Sequence, residues 1–211
     1  MNYLNRKYPN TFQELSILLK EGNGISRFLE EQLNNKNSPT LGEIFKNHNG
    51  KTIRCLDNFI DFEGRNNQWI AVSNNRKLNN FTGIYLFGEL DENSEKYNPV
   101  YVGISRNVFT RLRQHGWGKT SSQATLAHLK AKLQLTEYES LIFRNPKWNN
   151  PQEKLTIKNK VNQLRESEKV KIRNYKVSVC PIKEDEDYEL AFFELVVAGI
   201  LKTKWNSFRT H

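Results

Sequence analysis

Cysteine is scarce in this chain and carries no pattern: Cys55 and Cys180 stand far apart, without the close spacing of metal ligands. That excludes the disulfide framework of small secreted domains, and it fits a reduced, cytoplasmic setting with both thiols packed away. Long hydrophobic runs are missing too. No apolar stretch reaches the length of a bilayer-spanning helix, and the start, Met1-Asn2-Tyr3-Leu4-Asn5-Arg6-Lys7, lacks the apolar core of a secretory signal. We therefore expect no membrane partner; an anionic lipid surface also attracts basic chains, but no strongly basic amphipathic helix calls for one. Histidine is sparse, and His48, His128 and His211 form no ligand cluster, so zinc is not expected. There are no internal repeats and no low-complexity segments.

What is present describes a globular chain. Hydrophobic residues make up 37% and charged residues 26% of 211, enough to bury a sizeable core in one domain, or in a core with an appendage. The formal net charge is +9, which attracts polyanions, nucleic acid foremost. The charge is also unevenly placed. From Tyr101 to Lys132 the charged residues are Arg106, Arg111, Arg113, Lys119, Lys130 and Lys132, with no acid among them, although the chain holds 23 acidic residues. Such a gap suits a surface kept clear for a polyanion, which makes Arg106, Arg113, Lys119, Lys130 and Lys132 candidate nucleic-acid contacts. A solvated basic face is the plainer alternative for each. Gly116-Trp117-Gly118-Lys119-Thr120 resembles a phosphate loop only superficially, because it lacks the P-loop spacing; a basic turn lying on DNA is the better reading.

Periodicity predicts a helix over 11–20, with Phe12, Leu15, Leu18 and Leu19 on one stripe, broken by Glu21-Gly22-Asn23-Gly24 and followed by a second over 26–33. Ser38-Pro39 reads as the cap and first turn of a short helix through Phe45. Residues 52–72 fit short strands or loops equally well, and 74–80 reads as a linker. Strands are expected over 83–90 and 100–104, joined as an antiparallel hairpin by a long polar connection, and over 176–181. Helices are expected over 107–115, 121–133, 151–173 and 187–202, then a polar tail from Trp205. This is an α+β chain: a mainly helical region, 1–78, that could clamp or select DNA, then a domain, 79–211, with a small three-stranded antiparallel sheet flanked by helices and a charged helical insert around 137–173.

Alternation along strands puts Tyr85 opposite Ile84 and Leu86, and Tyr101 opposite Val100 and Val102. If the strands pair, both phenols converge on one surface. Gly83 and Gly103 beside them would allow another chain or a phosphate to come close. Arg111 and His115 are four apart, on one helix face; a guanidinium fork suits phosphate oxygens and an imidazole exchanges protons near neutrality. Glu194 interrupts the apolar run Leu190-Ala191-Phe192-Phe193-Glu194-Leu195-Val196-Val197, where an ionised carboxylate needs a cation or an arginine to compensate it. Glu186, Asp187 and Glu189 are nearby alternatives on an acidic helix start. Asn206 reads either as an orienting group or as a plain helix C-cap.

The segment Gly83-Ile84-Tyr85, then Tyr101-Val102-Gly103, then Ser105-Arg106-Asn107-Val108-Phe109-Thr110-Arg111-Leu112-Arg113-Gln114-His115, resembles the GIY-YIG nuclease family, with a valine for the common isoleucine of the second motif. The resemblance spans roughly residues 80–206. It implies Tyr85 and Tyr101 as the catalytic tyrosines, Arg111 as the active-site arginine and Glu194 as the metal-binding glutamate. His115, one turn past the arginine, and Asn206, about three turns past the glutamate, match the restriction-enzyme branch. The implied activity is hydrolysis of DNA phosphodiester bonds with Mg²⁺ or Mn²⁺. Double-strand cleavage from one active site would further call for a homodimer or sequential nicks.

Overall fold

The computed structural model describes residues 9, 11–45, 56–60, 66–69, 81–182 and 187–206. Helices α1 (Phe12–Asn34) and α2 (Leu41–Ile44) come first, then strands β1 (Leu56–Ile60) and β2 (Asn66–Trp69), which pair antiparallel. Strands β3 (Gly83–Asp91) and β4 (Lys96–Ser105) follow, then helices α3 (Val108–Trp117), α4 (Thr125–Lys132), α5 (Glu137–Arg144) and α6 (Pro151–Ile172). Strand β5 (Lys176–Pro181), helix α7 (Asp187–Ile200) and a two-residue strand β6 (Trp205–Asn206) complete the order.

The fold is α+β, but the main sheet is four-stranded and mixed, not three-stranded and antiparallel. Its order is β5-β3-β4-β6; β3 pairs antiparallel with β4 and β5, while β6 runs parallel to β4. The expected polar tail accounts for the difference. Its first residues return beside β4, with Trp205 opposite Tyr101 and Asn206 opposite Val102, and the indole is buried there. Residues 207–211 and the expected linker at 74–80 lie outside the described residues.

Alternation divides the core in two. Tyr85, Phe87, Tyr101, Val177 and Val179 face a cluster completed by Leu41 and Ile44 of α2, Leu112 of α3 and Leu126 of α4. Ile84, Leu86, Val102 and Cys180 face the other way, against Ile25, Leu29 and Leu33 of α1 and Leu190, Phe193 and Val197 of α7. Each aliphatic side chain removed from water here contributes about 1.5–3 kcal/mol, so α1 is a layer of the sheet's own core.

α1 departs most from expectation. It opens on a capping box, Thr11 with Glu14, and continues unbroken through Gly22 and Gly24. The reason is packing: a Cβ on Gly22 would meet Val196 Cγ1 at 2.7 Å, so the glycine lets α1 approach α7 closely. The buried stripe is Gly22, Ile25, Ser26, Leu29 and Leu33, whereas Phe12 is 84% exposed and Leu19 46%. The cap of α2 is Thr40, in a second capping box with Glu43; the Ser38 hydroxyl instead donates to the Gln32 carbonyl. The expected long connection between β3 and β4 shrinks to a tight turn. The Asp91 carboxylate accepts from the Asn93 amide and the Ser94 hydroxyl, and Glu95 takes a φ of 54°. Among the described residues no helix is long and apolar enough to cross a membrane.

Candidate active site

The two tyrosines enter from neighbouring strands. Tyr85 is opposite Gly103 and Tyr101 opposite Phe87, so the phenols are diagonal neighbours on one face, with ring centroids 6.1 Å apart. His115, one turn beyond Arg111 on α3, closes the group. Its ring lies 5.0 Å from that of Tyr101, and its Nε2 is 2.9 Å from the Tyr85 hydroxyl. Phe87 walls the third side, 5.2 Å from the imidazole. Sequence reading passed over Phe87, although its period-two spacing from Tyr85 places it on the same face.

The glycines do different work from that expected. A Cβ at Gly103 would fall 2.4 Å from the Tyr85 hydroxyl, so the room this glycine leaves is filled by the phenol. At Gly83 a Cβ would lie 2.3 Å from the Cys180 carbonyl, in the pairing with β5. Both spaces belong to the protein's own packing, not to an incoming chain or phosphate.

Burial sets the protonation states. Tyr85, Tyr101, His115 and Glu194 are each at most 1% exposed. Burial pushes the Tyr85 phenol well above its ordinary value, Tyr101 adds to the rise, and the Arg111 charge only partly opposes it. Tyr101 is raised by burial as well; Arg111 pulls it down and the Glu194 carboxylate pushes it up. His115 is held well below the usual imidazole value, first by burial and then by Arg111. Tyr85 and His115 are thus a neutral, hydrogen-bonded pair at neutral pH. His115 Nδ1 and the Tyr101 hydroxyl are buried without a hydrogen-bond partner.

Arg111 is held by the turn after α3. Its Nη1 donates to the carbonyls of Ser122 at 2.8 Å and Gln123 at 3.1 Å and to Gln114 Oε1 at 3.1 Å, and its Nη2 donates to Thr125 Oγ1 at 2.8 Å. No sequence signal singled out Ser122, Gln123 or Thr125: the first two accept through backbone carbonyls, which have no residue signature, and the third through one hydroxyl in a stretch rich in them. The same turn shortens α4, which begins at Thr125 and not at 121.

Glu194 stands on α7 close enough to Tyr101 for its charge to act on that phenol. The alternative carboxylate Glu189 faces α1, where it helps raise the Glu21 carboxyl after burial has done most of that work. Glu186 lies outside the described residues, and so does the side chain of Asp187. Asn206 is no helix cap: it lies in β6 beside Val102, and alternation from Trp205 turns it toward the face that α7 covers. Its Oδ1 is buried without a partner.

The candidate DNA contacts divide. Lys119 and Arg106 are exposed, and Arg113 is half-buried. Lys130 is engaged by the protein itself: it donates to the Tyr175 hydroxyl and pairs with Glu89 at 3.4 Å and Glu168 at 3.9 Å. Lys132 is half-buried, with its ammonium 5.5 Å from the Phe143 ring centroid; burial and then Arg144 lower its pKa. Comparison with family models, with curated proteins and with solved structures finds no match to this chain.

Proposed function

We propose that the chain is a metal-dependent endonuclease of the GIY-YIG kind, hydrolysing DNA phosphodiester bonds as a restriction-type enzyme. The observation that carries this reading is the convergence of Tyr85, Tyr101, Arg111 and His115 on one face of the sheet, with the Glu194 charge acting on Tyr101. Residues from two strands and one helix, distant in sequence, bring two phenols, an imidazole and a guanidinium together, and Glu194 comes from α7, which covers the other face of the sheet, near enough for its charge to act on Tyr101.

The donor set fits a hard divalent cation. Glu194 is a buried carboxylate in an apolar helix, and the neighbouring Tyr101 hydroxyl is an unpartnered buried oxygen. Mg²⁺ or Mn²⁺ needs few protein ligands and keeps several waters, so Glu194 would hold it. When bound, such an ion polarises a scissile phosphate and stabilises the leaving oxygen. The protein's own groups do the rest. Arg111 neutralises charge that builds on the non-bridging oxygens. Tyr101 orients water or phosphate. Tyr85 takes a proton from the attacking water and passes its own to His115 Nε2, so that no free phenolate is required. Lys119 and Arg106 hold flanking phosphates.

Tyr85, Tyr101, His115 and Glu194 are enclosed by the protein itself, each at most 1% exposed. That enclosure favours a second reading, a nucleic-acid-binding protein that keeps this fold without the activity. Plasmid nicking in Mg²⁺, against the same reaction in EDTA, decides between them. The enzyme reading expects nicks in Mg²⁺ only, lost in Glu194→Ala while duplex DNA is still bound. Binding without nicks establishes the second reading. Cleavage by Glu194→Ala in Mg²⁺ removes Glu194 from the metal.

A further inference from the structure

Helix α6 and its C-cap carry cations at 165, 169 and 173, a spacing of four that sets all three on one face. That face does not point to solvent. The side chain of Arg165 is 12% exposed and that of Lys169 is 6%. Burying a lysine that deeply is costly unless its donors are satisfied. Glu166 supplies part of the compensation, 2.6 Å from the Lys169 ammonium and 3.7 Å from the Arg165 guanidinium; the other partners are main-chain carbonyls of one short segment. Arg173 Nε donates to Gly116 O at 3.0 Å, Lys169 Nζ to Gly118 O at 2.9 Å, and Arg165 Nη2 to Lys119 O at 3.0 Å. The Arg173 guanidinium also stacks on Trp117, 4.7 Å from the ring centroid. The Gly116 and Gly118 carbonyls belong to the last turn and C-cap of α3, where a helix gathers negative partial charge and leaves acceptors unfilled, and Lys119 follows the cap.

The segment so gripped leads directly into the turn that holds Arg111. Gln123 ties the two together: its side-chain Oε1 accepts from the Lys119 amide at 2.9 Å, while its carbonyl accepts from Arg111. α6 touches one end of this stretch and the Arg111 guanidinium the other.

We propose that Arg165, Lys169 and Arg173 are positioning residues: they fix residues 116–119 from behind, so that Ser122, Gln123 and Thr125 present a preformed cradle to Arg111. α6 is then a support of the active site. The inference rests on the nuclease reading only for its effect on rate; the positioning itself is structural and has its own readout.

That readout is the ¹H–¹⁵N spectrum of the arginine guanidinium groups in the full chain, with Arg111 assigned through Arg111→Lys. A guanidinium held by four acceptors rotates slowly and gives resolved Nη signals. Lys169→Met and Arg173→Lys are expected to shift and broaden the Arg111 signals, while Lys158→Met, on an exposed position of the same helix, leaves them in place. Should Lys169→Met not fold, Arg173→Lys, which keeps the charge, decides alone. Plasmid nicking at saturating DNA is expected to fall with the same two variants, by up to about 10²-fold, the scale of an ångström-sized misplacement, with half-saturation unchanged. Arg111 signals that are unresolved in the wild type, or unmoved in the folded variants, overturn the proposal. Moved signals in a chain that never nicks DNA leave the positioning standing and remove the nuclease reading.

Discussion

The Tyr85 phenol lies across Gly103 and ends on His115 Nε2, so one hydrogen bond joins a strand to a helix inside a fully buried aromatic group. Tyr85→Phe keeps the ring and removes the oxygen. The imidazole nitrogen is then buried without its partner, at a cost of about 1–3 kcal/mol, which urea unfolding measures. In the nuclease reading the same change lowers nicking by orders of magnitude with duplex affinity retained; a collapse of affinity instead makes Tyr85 a binding group. The histidines also give the fold a pH dependence of definite sign. His115 is held well below its ordinary 6.5 and His128 is lowered to about 4, both chiefly by burial. Below 6.5 the unfolded chain therefore binds protons that the folded chain refuses. Their stability contribution is full above that pH and is lost as pH falls toward the folded values, by at most about 1.4 kcal/mol per unit for each group and less for the half-buried His128. Urea midpoints should be lower at pH 5.5 than at 7.5, and the difference should shrink in His128→Gln.

At the scale of elements, a glycine pair in a helical pattern is ambiguous: it ends a helix or it lets one lie close to another. Gly22 does the second. Gly22→Ala adds about 1 kcal/mol of helix propensity but drives a methyl into Val196, whose β-branched side chain has little freedom to yield. We expect net destabilisation of about 1–3 kcal/mol, the usual cost of overpacking; a more stable variant would show that α1 and α7 adjust freely. The same ambiguity separates what was legible from what was not. β5 was readable to the residue because its alternating apolar run is bounded by turn residues, and Tyr85, Tyr101 and His115 were readable because strand and helix periods place them. β6 was not, since two residues carry no period and pair only through contact with β4. The cradle of Arg111 was not either, for half of it is backbone carbonyl, which no residue type announces.

Over the whole molecule the net charge of +9 attracts polyanions, but which cations face a partner cannot be read from charge alone. Lys119 and Lys130 both fall in the acid-free stretch and both looked like phosphate contacts. Folding brings acids to Lys130 from elsewhere: Glu89 from β3 and Glu168 from α6, the latter 2% exposed. A lysine so paired faces its own acids and not solvent, and removing it leaves Glu168 with Lys171 at 2.7 Å and Gln134 at 2.9 Å on one oxygen only. Lys119 stays exposed, on the turn that α6 holds through the main chain. The two substitutions should therefore behave oppositely. Lys119→Ala should leave thermal stability nearly unchanged and lower the slope of log binding constant against log salt by about 0.9, the value of one phosphate contact. Lys130→Ala should leave that slope alone and cost about 1–3 kcal/mol of stability. Fluorescence anisotropy on a short duplex across a salt series, paired with urea unfolding, reads both. A slope that falls for Lys130 and not for Lys119 would place the DNA at the C-terminal end of α4, where Lys130 lies, and not at Lys119.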